Sequence, residues 1–542
     1  MPPETPGRSN RLEAVDPSIH TARWSPVSDT IYVVLAIIGL AAFGAVIAAR
    51  MGGGAGGSDS SGYINAAQLI GEGRLHAPRR IPALPHSSEY PEYLTTPLGF
   101  KPSGPTQMTP TYPLGFPAII AAVTVLFGPT MAPKVTIWLH AIAALVLVGI
   151  LAKKARLSNG WAIAGMVLLG TSPLMLSYSV QAMSDVPAMV WVTLIIVTAW
   201  SEGKAGVRHV FVGIAFSMAI FVRPTNVLAL IPLSVCLAAD WRKWLFFGLG
   251  GIPGGFVWFR VNVVLYGKAI STGYGDMSNY FGTAFAGPTF VHYAVWLPVI
   301  LSPAVALLLV FPFLGQISLR LRVLVGAWVV PWLGFYAVYS FTGSTWWYLR
   351  FLLPCFPALI LGTLLAAKQV TRGWGSFGIR ASGAAALVCL LIWSTFWTRK
   401  LFALNSGIDD RIYQRGVMVA EQTIPKHALI LAMQMSGALE CYSKRPFLRW
   451  DFIDPDLASG LRQDCLAQGK SIYAVLFPFE VQEVTRRRLP GPWKEIASVG
   501  QIGIWRLERL GSSVGDVRHI PVVKAEVARS GEDPIHGPVV CP

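Results

Sequence analysis

The sequence predicts an all-α polytopic membrane protein with a small extracytoplasmic α/β domain at its carboxyl end. Three observations carry that prediction. Of the 542 residues, 53% are hydrophobic and only 13% charged, where a soluble domain carries about 25% charged residues. The apolar residues gather in runs close to the twenty or so that a helix needs to cross a bilayer. Beyond residue 398 this texture gives way to short β-like runs separated by helix-like stretches.

The first run, "TIYVVLAIIGLAAFGAVIAA" at 30–49, follows a tail rich in Pro, Ser and charge. It comes too late and runs too long for a signal peptide, so it reads as an anchor. The tail, 1–29, reads as disordered and cytoplasmic. Further spans are expected at 133–152, 161–178, 186–201, 207–222, 225–239, 244–266, 292–314, 323–341, 350–367 and 381–397. With the anchor these make about eleven.

The stretch "YPLGFPAIIAAVTVLFG" at 112–128 is ambiguous, and the positive-inside rule arbitrates. If it does not span, the amino-terminal tail shares one side with Lys153/Lys154/Arg156, Lys204/Arg208, Arg242/Lys243, Arg320/Arg322 and Lys368/Arg372/Arg380. The opposite loops near 179–185, 267–291 and 342–350 then hold only Lys268 and Arg350. If it spans, every later loop inverts. An in-plane or re-entrant segment is therefore expected, with a cytoplasmic amino terminus and the carboxyl-terminal domain outside.

The net charge of +16 lies in short clusters between apolar runs. That pattern fits topology control and attraction to anionic membrane lipid, and it argues against nucleic acid, which selects a basic stripe on a soluble domain. Nineteen tryptophans suit interfacial rings. There are no internal repeats, and no P-loop, HExxH, CxxC or Gly-x-Ser-x-Gly motif.

The membrane module thus runs from 30 to 397, with a long first outer loop at 50–132. Loops of that length are uncommon unless they carry function. In the outer domain, 398–510, "HALILAM" and "SIYAVLF" read as buried strands, and "SGALECYS" and "PDLASGLRQDCLAQGK" as helices. Residues 511–542 read as disordered. Cys236, Cys355 and Cys389 fall within spans as small core residues. Cys441 and Cys465 fall outside, where an oxidising compartment permits a bridge but spacing cannot supply its geometry.

Two acids stand out. Asp59 follows the glycine run in "GGGAGGSDSSGYINAAQLIGEGRL", at the mouth of a helical stretch. Asp185, in "YSVQAMSDVPAMVW", sits in the tiny loop between two spans. Each suits an N-cap. On one face of a membrane the pair also suits base and orienter, or ligands of a divalent cation. Arg223, in "FVRPTN" between two short apolar segments, and Arg350, in "WWYLRFLLP", are either interfacial snorkels or phosphate contacts.

The ordered set "SDSSGYINAAQLIGEGRL", "PTYPLGFPAI", "MSDVPA", "RPTN" and "YLRFLLPCFPAL", closed by an outer α/β domain, resembles the type-C glycosyltransferase superfamily of bacterial inner membranes. The branch it is similar to holds protein O-mannosyltransferase-like, aminoarabinose-transferase-like and lipopolysaccharide sugar transferases. The resemblance covers roughly 30–400. It implies hexosyl or pentosyl transfer from a polyprenyl-phosphate donor to a lipid, polysaccharide or protein acceptor outside the cytoplasm, usually with inversion. It places the family's first-loop catalytic acid on Asp59 and its second-loop acid on Asp185. Arg350, Arg223, Tyr63, Tyr112 and Lys101 become substrate-binding candidates. The sequence departs from many members at Ser60, where they carry a second acid, and in "MTPTYPLGF", which lacks the Lys that some carry; Lys101, Arg79 or Arg80 are the substitutes. Some branches use a metal ion and others do not. A transporter or lipid flippase, suggested by the half-length helices at "FVRPTN", and a polysaccharide polymerase are the rival readings.

Overall fold

A computed structural model of the chain describes residues 26–200, 203–374 and 376–508. The expected tail at 511–542 and residues 1–25 lie outside the described residues, while Pro26 to Asp29 already belong to the first helix.

The membrane module is helical. In chain order it contains α1 (Pro26–Arg50), α2 (Gly57–Gly71), α3 (Gly115–Lys154), α4 (Asn159–Gly170), α5 (Pro173–Ser179), α6 (Asp185–Ala199) and α7 (Val207–Val222). There follow α8 (Leu230–Leu237), α9 (Trp241–Tyr266), α10 (Ala286–Ile300), α11 (Leu319–Ala337), α12 (Phe356–Val370) and α13 (Ser376–Lys400). Among the described residues, six helical stretches are long and apolar enough to cross a membrane, and α4 with α5, bent by 65°, makes a seventh. Three of the four remaining expected spans are apolar helices that fall short of that length. They are α6, α7 and the Pro224–Leu237 segment. The expected span 292–314 divides into α10 and two 3-10 segments, Pro303–Leu309 and Phe311–Phe313. Its prolines remove the backbone donors that a continuous helix needs.

The ambiguous stretch joins the next span as one 40-residue helix, α3, with a break inside. Gly128 has φ 72° and ψ 164°, and Pro129 and Pro133 follow it; an L side chain rarely adopts that conformation. At 1.5 Å per residue the arm 115–127 is about 20 Å long, short of a hydrocarbon core of about 30 Å. Its tip exposes Val125, Leu126 and Phe127. Cysteines introduced at Lys101 and Met131, on either side of the arm, are both expected to react with an impermeant maleimide added outside. Labelling of Met131→Cys from the cytoplasm alone would mean that the arm crosses.

Helices α7 and α9 pack through glycines: a Cβ on Gly213 would strike the Phe247 carbonyl, and one on Gly250 the Val210 carbonyl. Small residues allow this backbone approach where lipid supplies no hydrophobic drive.

The long loop between α2 and α3 carries a three-stranded antiparallel sheet of β1 (Ala77–Pro78), β2 (Phe100–Pro102) and β3 (Gln107–Pro110), with β3 central. Outside the membrane module, α14 (Ser406–Thr423) leads into β4 (Leu429–Leu431), α15 (Ser436–Tyr442), α16 (Pro455–Ala467), β5 (Ile472–Leu476), α17 (Pro478–Glu483), β6 (Trp493–Val499) and β7 (Ile502–Leu507). The sheet order is β4-β5-β7-β6, parallel only between β4 and β5. The two expected strands are β4 and β5, and the two expected helices are α15 and α16.

The loop between α2 and α3 is tied to this domain. Arg80 pairs with buried Glu440 at 3.1 Å, and Asp464 accepts from His86 Nδ1 at 2.8 Å and from the Tyr90 hydroxyl at 3.0 Å. Cys441 and Cys465 are both free and buried in separate apolar clusters, so the bridge that their location permits is not formed. Cys236 and Cys355 are buried as expected, whereas Cys389 is exposed on α13.

Candidate active site

Helix α2 begins after Gly56 with no side-chain cap, and Asp59 stands in its first turn. A carboxylate is favoured there by the helix dipole, but this one reaches outward. Its Oδ2 accepts Nη2 of Arg350 at 2.9 Å, with the two side chains 27% and 16% exposed. Arg350 comes from the 3-10 segment Trp346–Cys355, which opens the most enclosed of the membrane-capable stretches. Three rings surround its guanidinium carbon: Phe351 at 5.1 Å, Tyr178 at 5.6 Å and Tyr348 at 5.8 Å. Such faces favour a cation, more so away from water.

The second acid is built the same way. Asp185 opens α6 behind Ser184, makes no capping bond and is wholly buried. Its Oδ1 lies 2.6 Å from Nη2 of Arg223. Arg223 ends α7 in extended backbone because Pro224 disfavours a helical residue before it. The Ala219 carbonyl accepts both the Arg223 N–H and the Asn226 side chain, each at 2.9 Å, so "RPTN" is a complete helix stop. The Arg223 guanidinium lies 5.5 Å from the Phe351 ring, and Phe351 thereby stands against both arginines.

Two tyrosines link the pairs. The Tyr63 hydroxyl bonds Ser184 at 2.8 Å, the Tyr112 hydroxyl bonds Ser58 at 2.7 Å, and the rings are 5.0 Å apart. Burial raises the pKa of both phenols, with the Asp59 charge adding to it, so both stay protonated. Spare capacity remains among the described residues: Asp185 Oδ2, Arg223 Nη1 and Arg350 Nε are buried with no hydrogen-bond partner.

Two structures of ArnT from Cupriavidus metallidurans superpose on the chain. The apo form aligns with 88% of this chain and 98% of its own at 13% identity, with a TM-score of 0.56. The form bound to undecaprenyl phosphate aligns with 89% and 98% at 12% identity, with a TM-score of 0.53. The chain has the type-C glycosyltransferase fold. A mutant form of arabinofuranosyltransferase AftD from Mycobacteria aligns with 87% of this chain and 41% of its own at 14% identity, with a TM-score of 0.49. No family model matches the chain, and no curated protein matches its sequence.

Within this type-C fold, six of the seven candidate residues converge: Asp59, Asp185, Arg223, Arg350, Tyr63 and Tyr112. Lys101 stands apart on β2, its ammonium 4.6 Å from the Tyr266 ring, and burial lowers its pKa. Arg79 and Arg80 face Glu92 and Glu440 instead. Sequence reasoning missed Ser58, Ser184, Tyr178, Tyr348 and Phe351. Adjacency to Arg350 was the available signal for Tyr348 and Phe351, whereas nothing in the sequence aims Tyr178 at the site. Among the described residues no three His, Cys, Asp or Glu side chains gather as metal ligands. Asp59 and Asp185 each face a guanidinium, and that donor set does not fit the oxygen cage of a resident divalent cation.

Removing one partner from a buried pair strands the other's charge, at a cost of about 3–5 kcal/mol. Asp185→Leu is therefore expected to lower the unfolding temperature of the purified protein sharply. The Asp185→Leu/Arg223→Met double variant is expected to regain most of that loss. An Asp185→Leu variant as stable as wild type would show that the pair is not structural.

Proposed function

We propose that the chain is a glycosyltransferase of the bacterial inner membrane, moving a hexosyl or pentosyl group from a polyprenyl-phosphate donor to a hydroxyl outside the cytoplasm, with inversion. The observation that supports this most is the contact between Asp59 and Arg350 at 2.9 Å. It brings together the two groups the reaction needs, a base for the hydroxyl and a fork for the phosphate. ArnT, which shares the fold, has been crystallised with undecaprenyl phosphate, and a donor of that class suits the arginines here.

In this reading Asp59 takes the proton of the acceptor hydroxyl as its oxygen attacks C1 of the sugar. The C1–O bond to phosphate breaks on the opposite face, and its electron pair leaves with the polyprenyl phosphate. Arg350 and Arg223 stabilise the charge growing on the leaving oxygen. Before the donor binds, Arg350 is held by Asp59. The donor phosphate offers a second anion to Arg350 Nε and Arg223 Nη1, which have no hydrogen-bond partner among the described residues. Asp185 orients Arg223, while Tyr63 and Tyr112 fix the first turn of α2. In this reading the prenyl chain lies between spans, and the narrow pocket walled by Leu114, Phe221, Pro224, Trp258, Leu265 and Tyr266, with room for about one water, has to open to receive it. The arginines supply the positive charge, and no divalent cation is assigned a part.

The test uses purified protein in vesicles with a radiolabelled polyprenyl-phosphate sugar and separate lipid, polysaccharide and protein acceptor fractions. The expected result is label on one acceptor class, one polyprenyl phosphate released per sugar, and turnover unchanged by EDTA. Movement of intact labelled lipid across the vesicle without sugar release would make the protein a flippase. Loss of activity with EDTA and recovery with a divalent cation would overturn the metal-free assignment.

A further inference from the structure

Between α1 and α2 the chain reads "GGGAGG", and its alternate glycines lie against α14 of the outer domain. A Cβ on Gly52 would meet the Gly407 carbonyl and stand 2.7 Å from Asp410 Cβ. On Gly54 it would stand 2.6 Å from the Asp410 carbonyl oxygen, and on Gly56 it would strike Asp410 Oδ1. Cβ atoms do not approach other heavy atoms that closely, so at Gly52 and Gly54 only glycine fits without the backbone moving, and at Gly56 an added Cβ displaces the Asp410 carboxyl. Hydrogen bonds close the grip. Arg411 donates to the Met51 carbonyl at 2.7 Å, Ala55 N–H donates to the Tyr442 hydroxyl at 2.9 Å, and Gly52 N–H donates to the Val180 carbonyl at 3.1 Å. Three residues beyond Gly56 stands Asp59.

Asp410 is the centre of this contact, and the chemistry above does not use it. It is 7% exposed, and its Oδ2 has no partner among the described residues. The titratable groups around it are Asp409, Arg411 and Tyr413 on its own helix, Tyr442 from α15, and Lys134 from α3, whose stem lies along Gly53. None of the cations pairs with it among the described residues, and Arg411 is turned to the Met51 carbonyl. Burial, with repulsion from Asp409, pushes the carboxyl well above the usual carboxylate range and so favours its neutral form.

We propose that Asp410 is a positioning residue for Asp59, acting through the glycine strand that it and Gly407 hold against the outer domain. A neutral carboxyl can be packed tightly against a bare backbone, whereas an ionised one would draw water into the contact. The outer domain thereby sets where the base stands. The kinetic part of the test rests on the transferase reading, and the exchange part does not.

Gly56→Ala, Asp410→Lys, Asp410→Asn and the milder Tyr442→Phe are compared as full-length protein in lipid nanodiscs. Hydrogen exchange at the Gly52 and Ala55 amides is expected to accelerate at least tenfold in Gly56→Ala and Asp410→Lys, with β4 and β5 still protected. Turnover is expected to fall at least tenfold in both, with donor KM within twofold of wild type. Asp410→Asn, neutral and of the same shape, is expected to match wild type in both readouts. Tyr442→Phe is expected to speed exchange at Ala55 alone, which keeps the test alive if the harsher variants misfold. Unchanged exchange in Tyr442→Phe and Gly56→Ala would overturn the proposal, as would Asp410→Asn losing as much as Asp410→Lys. Faster exchange in protein that never transfers sugar would leave the strand contact standing and remove the transferase reading.

Discussion

Asp59→Asn is expected to abolish sugar transfer while leaving expression and unfolding temperature near wild type. A positioned general base contributes about 10²–10⁴-fold, and an amide cannot accept the acceptor's proton. The fold has little reason to notice the change. Helix α2 is capped by Gly56 without a side-chain bond, so no capping interaction is lost. The packed face of α2, from Ser60 to Ala67, does not include Asp59. The amide oxygen still accepts from Arg350, so the contact weakens without leaving a hole. The measurement is single-turnover transfer by purified protein beside its unfolding curve. Transfer within threefold of wild type would sink the assignment of Asp59 as base. A large fall in unfolding temperature with the loss of activity would instead make the Asp59–Arg350 pair structural.

Each of the four charged residues was legible because charge is costly beside an apolar run and must have a reason to be there. Their pairing was not legible. Arg350 and Asp59 lie 291 positions apart, and Arg223 and Asp185 lie 38 apart, and no periodicity connects such positions. The N-cap alternative for both acids was reasonable from sequence and is resolved only by geometry, since neither carboxylate caps its helix. Helix ends were readable where proline marks them. Pro224 placed the end of α7 at Val222; the prolines after α10 carried the same signal, yet the span expected at 292–314 ran through them.

In the outer domain the buried strands β4 and β5 announced themselves as apolar runs. The β6–β7 hairpin did not, because "WKEIASV" has no fully buried residue and mixes charge with apolar residues. Helix α14, "SGIDDRIYQRGVMVAEQT", escaped for the related reason that charged and polar residues interrupt its apolar ones. Yet α14 explains the glycine run. From sequence those glycines suggest a sharp turn, and only the neighbouring helix shows why alternate ones must lack a side chain.

The Arg350 series is expected to show a graded loss, with Arg350→Lys partly active and Arg350→Ala nearly inactive. The guanidinium holds Asp59 through Nη2, and its Nε has no hydrogen-bond partner among the described residues, inside a box of Phe351, Tyr178 and Tyr348. A lysine ammonium can still face the carboxylate and the ring faces, but it has no planar fork to share between carboxylate and phosphate. It should lose the second contact and keep the charge. Alanine loses both and leaves Asp59 without its counter-charge in a cleft that is mostly closed to water. A guanidinium on a leaving phosphate binds more strongly as charge develops, so the loss falls on turnover. Losing such a donor costs roughly 2–4 kcal/mol, judged from single transition-state donors. That corresponds to a rate drop on the order of thirty- to a thousandfold for alanine. An interfacial anchor behaves differently, because lysine snorkels as well as arginine and alanine then lowers stability more than turnover. The deciding measurement is donor turnover at saturating donor, in variants whose unfolding curves show them folded. Equal turnover for all three proteins would reduce Arg350 to an anchor, and equal loss in Lys and Ala would assign the effect to the bidentate fork alone.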